Sequence, residues 1–184
     1  EKLEKVLSEL NISDKELIDW FNNRGKDKTG LIPTELPLVY RRGNVLTVEN
    51  GLNLSRKHEL WGIQRLSGVM VALKCGPGNN VSKTTYEEIK KFAQKMHFKD
   101  KPGFLPSQDV LKEHWGTEEQ TRFAATVEIL KENGIEADAY WGYILCSEEY
   151  NPYTAYYFNL KDGCNDWGSK STTGYRDRIA VAFN

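Results

Sequence analysis

The spacing of apolar residues changes at residue 38, and that change constrains the fold more than any overall composition. Before it, Leu3, Val6, Leu7 and Leu10 recur at i, i+3, i+4 and i+7, which places them on one face of a helix. Ser13-Asp14-Lys15-Glu16 then reads as a capping box opening a second short helix, with Leu17, Ile18 and Phe21 on its apolar face and Gly25 as its stop. Residues 26–37, punctuated by Gly30, Pro33 and Pro37, read as linker. From residue 38 the apolar positions fall in short runs bounded by turn residues, as in strands. Leu38-Val39-Tyr40 and Val45-Leu46-Thr47-Val48 flank Arg41-Arg42-Gly43-Asn44 in a hairpin pattern. Residues 60–66 and 69–73 predict two further strands, broken at Ser67-Gly68. The cluster Gly76-Pro77-Gly78-Asn79-Asn80 ends this run and is no phosphate loop, because it lacks the Lys-Ser/Thr pair and the helix that should follow.

Helical spacing then returns. Thr85-Tyr86-Glu87-Glu88 is a capping box, followed by the stripe Ile89, Phe92, Ala93 and Met96. Ser107 is expected to cap a short helix running through Val110, Leu111 and Trp115. Thr117-Glu118-Glu119-Gln120 is expected to cap a longer one that faces Phe123, Val127 and Leu130 inward and ends at Gly134. Strands are predicted again at 140–146, 155–160 and 178–183, separated by polar loops at 147–154 and 161–177. The order helices, strands, helices, strands indicates an α+β fold. Residues 1–37 are expected to form a helical N-terminal segment and linker, and residues 38–184 a single domain.

Composition excludes several classes. The 25 Lys+Arg and 26 Asp+Glu leave a formal charge of −1, so no global field draws the chain to nucleic acid or a membrane surface. Residues 1–30 carry six basic and seven acidic side chains, so their two helices lack the charge of a DNA-binding pair. No 18-residue apolar run predicts a transmembrane segment. Cys75, Cys146 and Cys164 form no C-x-x-C, and His58, His97 and His114 no H-x-x-x-H, so neither a zinc site nor another cofactor is expected. Three cysteines leave at least one free thiol, or an intermolecular bridge in an exported protein. The chain opens on Glu1 without an apolar signal segment, as expected for a mature or trimmed chain whose targeting segment has been removed, so the lack of a signal segment does not indicate the cytoplasm.

A set of motifs over roughly the last 115 residues, about the size of one domain, resembles a known family. Gly68-Val69-Met70-Val71-Ala72-Leu73 leads to Phe104-Leu105-Pro106-Ser107 at a helix start. Tyr143-Ile144-Leu145-Cys146-Ser147-Glu148-Glu149-Tyr150 follows, then Ala155-Tyr156-Tyr157-Phe158-Asn159-Leu160-Lys161-Asp162-Gly163, and last Arg178-Ile179-Ala180-Val181-Ala182-Phe183. This order resembles bacterial envelope proteins that carry the major paralogous domain and related domains of unknown function. Leu145 stands where that family has Trp, Cys146 and Glu148 where it has Ser, and Ile179 where it has Pro. The resemblance implies a C-type-lectin-like fold, an antiparallel sheet with two or three flanking helices and an irregular ligand-facing loop region. It also implies an extracytoplasmic or cell-surface location. A subset of such proteins, diversified by retroelements, displays Asn-, Tyr-, Ser- and Asp-rich stretches, and residues 140–176 have that appearance.

Aromatic residues locate the candidate site. Of 21 in the chain, eleven lie in the final 45 positions. Tyr150, Tyr153, Trp167 and Tyr175 alternate with Asn151, Thr154, Asn165, Asp166, Lys170 and Thr172, so flat apolar faces sit beside short hydrogen-bonding groups, which suits a glycan or protein ligand. Strand alternation requires one parity of Tyr156-Tyr157-Phe158 to face inward, so Tyr156 or Tyr157, with Phe158, is expected to build the sheet. Glu149, Asn151 and Pro152, like Asn165-Asp166-Trp167, have the wrong order for a calcium loop, and about four suitable side chains fall short of the six to eight oxygens calcium takes. Cys146 could be drawn as a nucleophile with His114 and Asp138, but a thiol flanked by Ile144 and Leu145 in a strand is expected to be buried and inert. The expected function is a non-catalytic ligand-binding module. A structural subunit of a surface or phage assembly, and a thiol-dependent enzyme using Cys146, are the alternatives.

Overall fold

Several strand segments are apolar at every position rather than at every second one, because the sheet they build is covered on both faces. The computed structural model describes residues 30–56, 59–65, 68–75, 85–113, 115–137, 143–159, 162–171 and 177–183. Four strands come first: β1 (Ile32–Arg42), β2 (Val45–Leu52), β3 (Glu59–Gln64) and β4 (Val69–Cys75). Helix α1 (Tyr86–Lys95) leads to the short strands β5 (His97–Phe98) and β6 (Lys101–Pro102), then to helices α2 (Gln108–Glu113) and α3 (Thr117–Glu132). The chain closes with β7 (Tyr143–Asn151), β8 (Thr154–Asn159), β9 (Asn165–Ser169) and β10 (Asp177–Ala182).

The strands lie in the order β6-β5-β2-β1-β3-β4-β10-β7-β8-β9. Only the pairs Asp177↔Tyr143 and Arg178↔Ile144 join β10 to β7, so the ladder is a curled seven-strand sheet continued by a second sheet of three strands. In β4, Val69 and Val71 pack with Leu111 of α2, Ile144 and Phe158, whereas Met70 and Ala72 pack with Ile89 and Ala93 of α1. Strand β10 divides in the same way, Ile179 and Val181 toward α1, Ala180 and Ala182 toward α2. Helix α3 covers the β1 end, where Phe123, Val127 and Leu130 pack on Leu36, Leu38, Tyr40 and Leu52.

Local signals set several boundaries. Arg42 pairs with Val45 across a two-residue loop whose first residue, Gly43, has φ +61°, a conformation that glycine adopts without strain. The capping box at α1 forms as its sequence predicts: the Glu88 N–H donates to Thr85 Oγ1 at 3.3 Å and the Thr85 N–H to Glu88 Oε2 at 2.7 Å. At the end of α3, Gly134 takes φ +77°, its N–H bonds to the Lys131 carbonyl and the Ile135 N–H bonds to the Leu130 carbonyl, a Schellman closure.

Arg65 ties the halves of the domain together. It sits at the exit of β3, where its N–H bonds to the Val69 carbonyl at 2.8 Å, and the residue is 2% exposed. Nε donates to Glu119 Oε1 of α3 at 2.7 Å, while the guanidinium carbon lies 3.5 Å from the Trp115 ring centroid and 4.8 Å from that of Phe123. Burial lowers its pKa to about 10, against the opposing pull of Glu119. Trp115 in turn meets Phe158 edge-on at 5.2 Å, so one cation links β3, α3 and β8.

The α+β assignment, with its C-type-lectin-like fold behind a helical segment, is corrected. Of the described residues 48% are strand and 25% helix, and the ten strands form the seven-strand and three-strand sheets described above. Residues 32–37, expected as linker, begin β1 instead, with Pro33 opposite Gly51. The prolines are tolerated because pairing with β3 starts only at Leu38, after a register shift between Pro33 and Leu38. Both expected polar loops contain strand as well: β7 runs on to Asn151, and β9 occupies 165–169. Their outer residues leave the core, so no apolar alternation marks them. The expected cap Thr117 is the first helical residue of α3, after Gly116 at the N-cap. The helices expected within residues 1–25 lie outside the described residues.

Glu119→Ala leaves the Arg65 guanidinium buried without its carboxylate and is expected to destabilise the fold by about 3–5 kcal/mol. Arg65→Met combined with Glu119→Leu, which removes both charges, is expected to recover most of that loss. Urea unfolding at neutral pH measures both.

Candidate functional site

Eight of the ten residues expected to touch a ligand are described; they lie on or beside the three-strand sheet, whose hydrogen-bonding phase orients them. The Lys170 N–H bonds to the Tyr153 carbonyl at 2.9 Å and the Asn159 N–H to the Cys164 carbonyl at 2.8 Å. Antiparallel pairing alternates between bonded and non-bonded pairs, so Tyr156↔Trp167 is a non-bonded pair. Such pairs bring Cα atoms to about 4.5 Å and press their side chains together. Tyr156 shares a strand face with Phe158 and packs on the same apolar cluster, which roots the outer rings in the core.

Tyr150 completes an aromatic platform. Its ring is stacked on Trp167 with centroids 5.5 Å apart and planes 12° apart, and meets Tyr156 edge-on at 5.5 Å. Trp167 is 58% exposed and Tyr150 53%, while Tyr153, at the tip of the β7–β8 turn, is 81% exposed. These three are the only aromatic side chains among the five large exposed hydrophobic residues described, so the exposed rings are concentrated on one hairpin and its neighbour.

The other expected site residues divide by role. Asn151 Oδ1 accepts from the N–H groups of Tyr153 at 2.8 Å and Thr154 at 2.9 Å, and so builds the turn. Asp166 Oδ1 accepts from the Trp167 N–H at 2.8 Å. Thr154 and Asn165 flank the platform, opposite Ser169 and Phe158, and Thr154 Oγ1 and Asn165 Oδ1 are buried atoms without a hydrogen-bond partner among the described residues. Lys170 belongs to the opposite face: its Nζ is 2.6 Å from Glu149 Oε2 and 5.4 Å from the Tyr86 ring centroid. That hydrogen bond is the main reason the Glu149 carboxyl is held below the usual range. Thr172 and Tyr175 lie outside the described residues.

Two participants were not foreseen. Either Tyr156 or Tyr157 was expected to build the sheet with Phe158; Tyr157 and Phe158 are the buried rings, and Tyr156 supports the platform, a role the sequence reading did not give it. Its i, i+2 spacing from Thr154 and Phe158 was the available signal. Tyr86 read as a helix residue only. Its hydroxyl donates to the Ser147 carbonyl at 2.9 Å, and burial first, then the charges of Glu149, Glu87 and Glu148, push its pKa up to about 12.

Cys146 is fully buried, and burial, then Glu148, raises its thiol well above the ordinary value. Its imagined partners His114 and Asp138 lie outside the described residues. Among the described residues no group of three or more His, Cys, Asp or Glu could hold a metal ion, and no helix is long and apolar enough to cross a membrane. A separate cavity of about 220 Å³ lies between α1 and α2, lined by Lys90, Phe104, Leu105, Ser107, Val110 and Ser147. No protein-family model matches the chain, and no curated protein is similar to it in sequence.

The Tyr86 phenol stays protonated in the fold after tyrosines of the unfolded chain ionise near pH 10. Its contribution to stability is therefore complete below pH 10 and is lost as the pH rises toward 12. Tyr86→Phe is expected to flatten this part of the stability profile, measured by urea unfolding at several pH values. Tyr150→Ala is expected to red-shift the Trp167 emission, isolated as the difference from Trp167→Phe, because the stacked ring that shields the indole is gone.

Proposed function

We propose that this chain is a non-catalytic ligand-binding module that presents the Tyr150–Tyr156–Trp167 platform, with Tyr153 at its tip, to a glycan or protein on another surface. The observation that carries the reading is the exposed stack of Tyr150 on Trp167, held from below by Tyr156. Rings already stacked lose little freedom when a ligand covers them, so contact area translates efficiently into affinity. The side chains around the platform are hydroxyls, amides and a carboxylate rather than a nucleophile paired with a base, which favours binding over covalent chemistry. The resemblance of the terminal motifs to envelope proteins fits presentation at a bacterial surface.

Arrays of glycans and of surface proteins, probed in parallel with the wild-type chain and with the Tyr150→Ala/Trp167→Ala double variant, test this. Any ligand retained by the wild type is expected to bind the double variant at least about tenfold more weakly, as for loss of a central aromatic anchor. The thermal midpoints should stay close, because both rings are largely outside the core. Equal retention by the two chains overturns the assignment of the site.

A further inference from the structure

We infer that the platform seats a cationic side chain, arginine above all, displayed by a basic segment of a protein partner. This rests on the binding role proposed above and goes further by naming the chemistry recognised. The edge of the sheet supplies the first argument. Strand β9 is the last in the ladder, and a free strand edge can pair with an added peptide strand. The pairing phase turns the N–H and C=O groups of Asn165, Trp167 and Ser169 outward. Two of these groups are already engaged: the Trp167 N–H by Asp166 at 2.8 Å, and the Ser169 carbonyl by the Tyr157 hydroxyl at 3.3 Å. Main-chain pairing would have to displace both, so a partner reads the side chains of this surface rather than its backbone.

Charge supplies the second argument. Between residues 143 and 171 the described ionisable acids are Glu148, Glu149, Asp162 and Asp166, and the one described cation is Lys170, already paired with Glu149. Lys161 lies outside the described residues. Glu148 accepts from the Gln108 N–H, and Asp162 from the Cys164 N–H and the Asn159 amide. Asp166 pairs with Tyr157, so alternation starts its side chain on the face opposite Trp167; it reaches the outer edge of the sheet, where Oδ1 accepts from the Trp167 N–H and the second carboxylate oxygen is left for a ligand. With Lys161 and Arg176 outside the described residues, the described charge beside Trp167 is that of Asp166, which favours a cation over an anion.

The protein itself shows that this combination holds a guanidinium. Arg65 lies over Trp115 and Phe123 and pairs with Glu119, two rings and one carboxylate. The same residue types recur at the surface: the stacked rings of Trp167 and Tyr150, and the Asp166 carboxylate at the adjoining sheet edge on the Trp167 N–H. Tyr150 and Trp167 are in contact with each other, so the cation sits on the outer face of the stack rather than in a slot between the rings.

Titration of the chain with an arginine-containing octapeptide and with its citrulline counterpart, equal in shape but neutral, tests the inference by the Trp167 indole resonance. The arginine peptide is expected to give a saturable shift and the citrulline peptide to bind at least about tenfold more weakly. By isothermal calorimetry, which does not need the indole signal, Trp167→Ala is expected to abolish the binding, and Asp166→Asn to weaken it several-fold and reduce its salt dependence. Equal binding of the two peptides, or no saturable shift with the arginine peptide, overturns the inference. Saturable binding of cellohexaose that depends on Trp167, with no binding of the arginine peptide, also overturns it while leaving the platform as the binding surface. Arginine-peptide binding that survives Trp167→Ala reflects diffuse charge attraction, and overturns both the cation seat and the platform.

Discussion

A single buried cation holds the architecture together. Arg65 leaves β3 at the point where the chain turns back into β4, and there it meets Glu119, Trp115 and Phe123. Desolvating a guanidinium is expensive, and this site offsets the cost with a carboxylate and two aromatic faces at once. The consequence is geometric. Helix α3 cannot shift along the sheet without stranding the charge, and Trp115 is held where its edge meets Phe158 of β8. The three-strand sheet, joined to the larger one by only two residue pairs, thereby gains a side-chain connection to the rest of the domain.

That connection determines how the platform is supported. Phe158 is buried, Tyr156 lies two residues further out on the same strand face, and Tyr150 and Trp167 lie beyond it. Packing therefore runs from the core cluster to Tyr156, and from there by ring contacts through Tyr150 to Trp167. On the opposite face the Lys170–Glu149 pair and the buried Tyr86 hydroxyl hold the same hairpin against α1. Both faces are thus occupied near the core, and only the outermost rings remain open to a partner.

The parts of the fold that were readable in the chain are those decided within a few residues. Thr85 and Glu88 are three positions apart and satisfy each other's backbone groups whatever the rest of the domain does. Gly43 and Gly134 occupy positive φ because the turn and the helix end require it locally. The strands hidden in expected loops failed for the opposite reason. Asn165-Asp166-Trp167-Gly168-Ser169 has no apolar alternation, and only pairing with β8 makes it a strand. Residues 32–37 carry two prolines and read as linker, yet the register shift before Leu38 accommodates them. The α+β reading rested on the order of helices and strands along the chain, and counting these segments as loop understated the share of strand.

For the site, the sequence alone determined the chemical composition: rings interleaved with amides, hydroxyls and carboxylates in the last third of the chain. The tertiary structure decided which of them act together. Tyr150 and Trp167 are seventeen positions apart, and only the register of β7, β8 and β9 stacks them over Tyr156. Asn151 and Lys170, equally prominent in the sequence, are used by the turn and by an ion pair on the other face. Side-chain type is written in the chain, but the face of a strand on which a residue emerges depends on pairing partners and bulges. Those are set by long-range packing that no local pattern encodes.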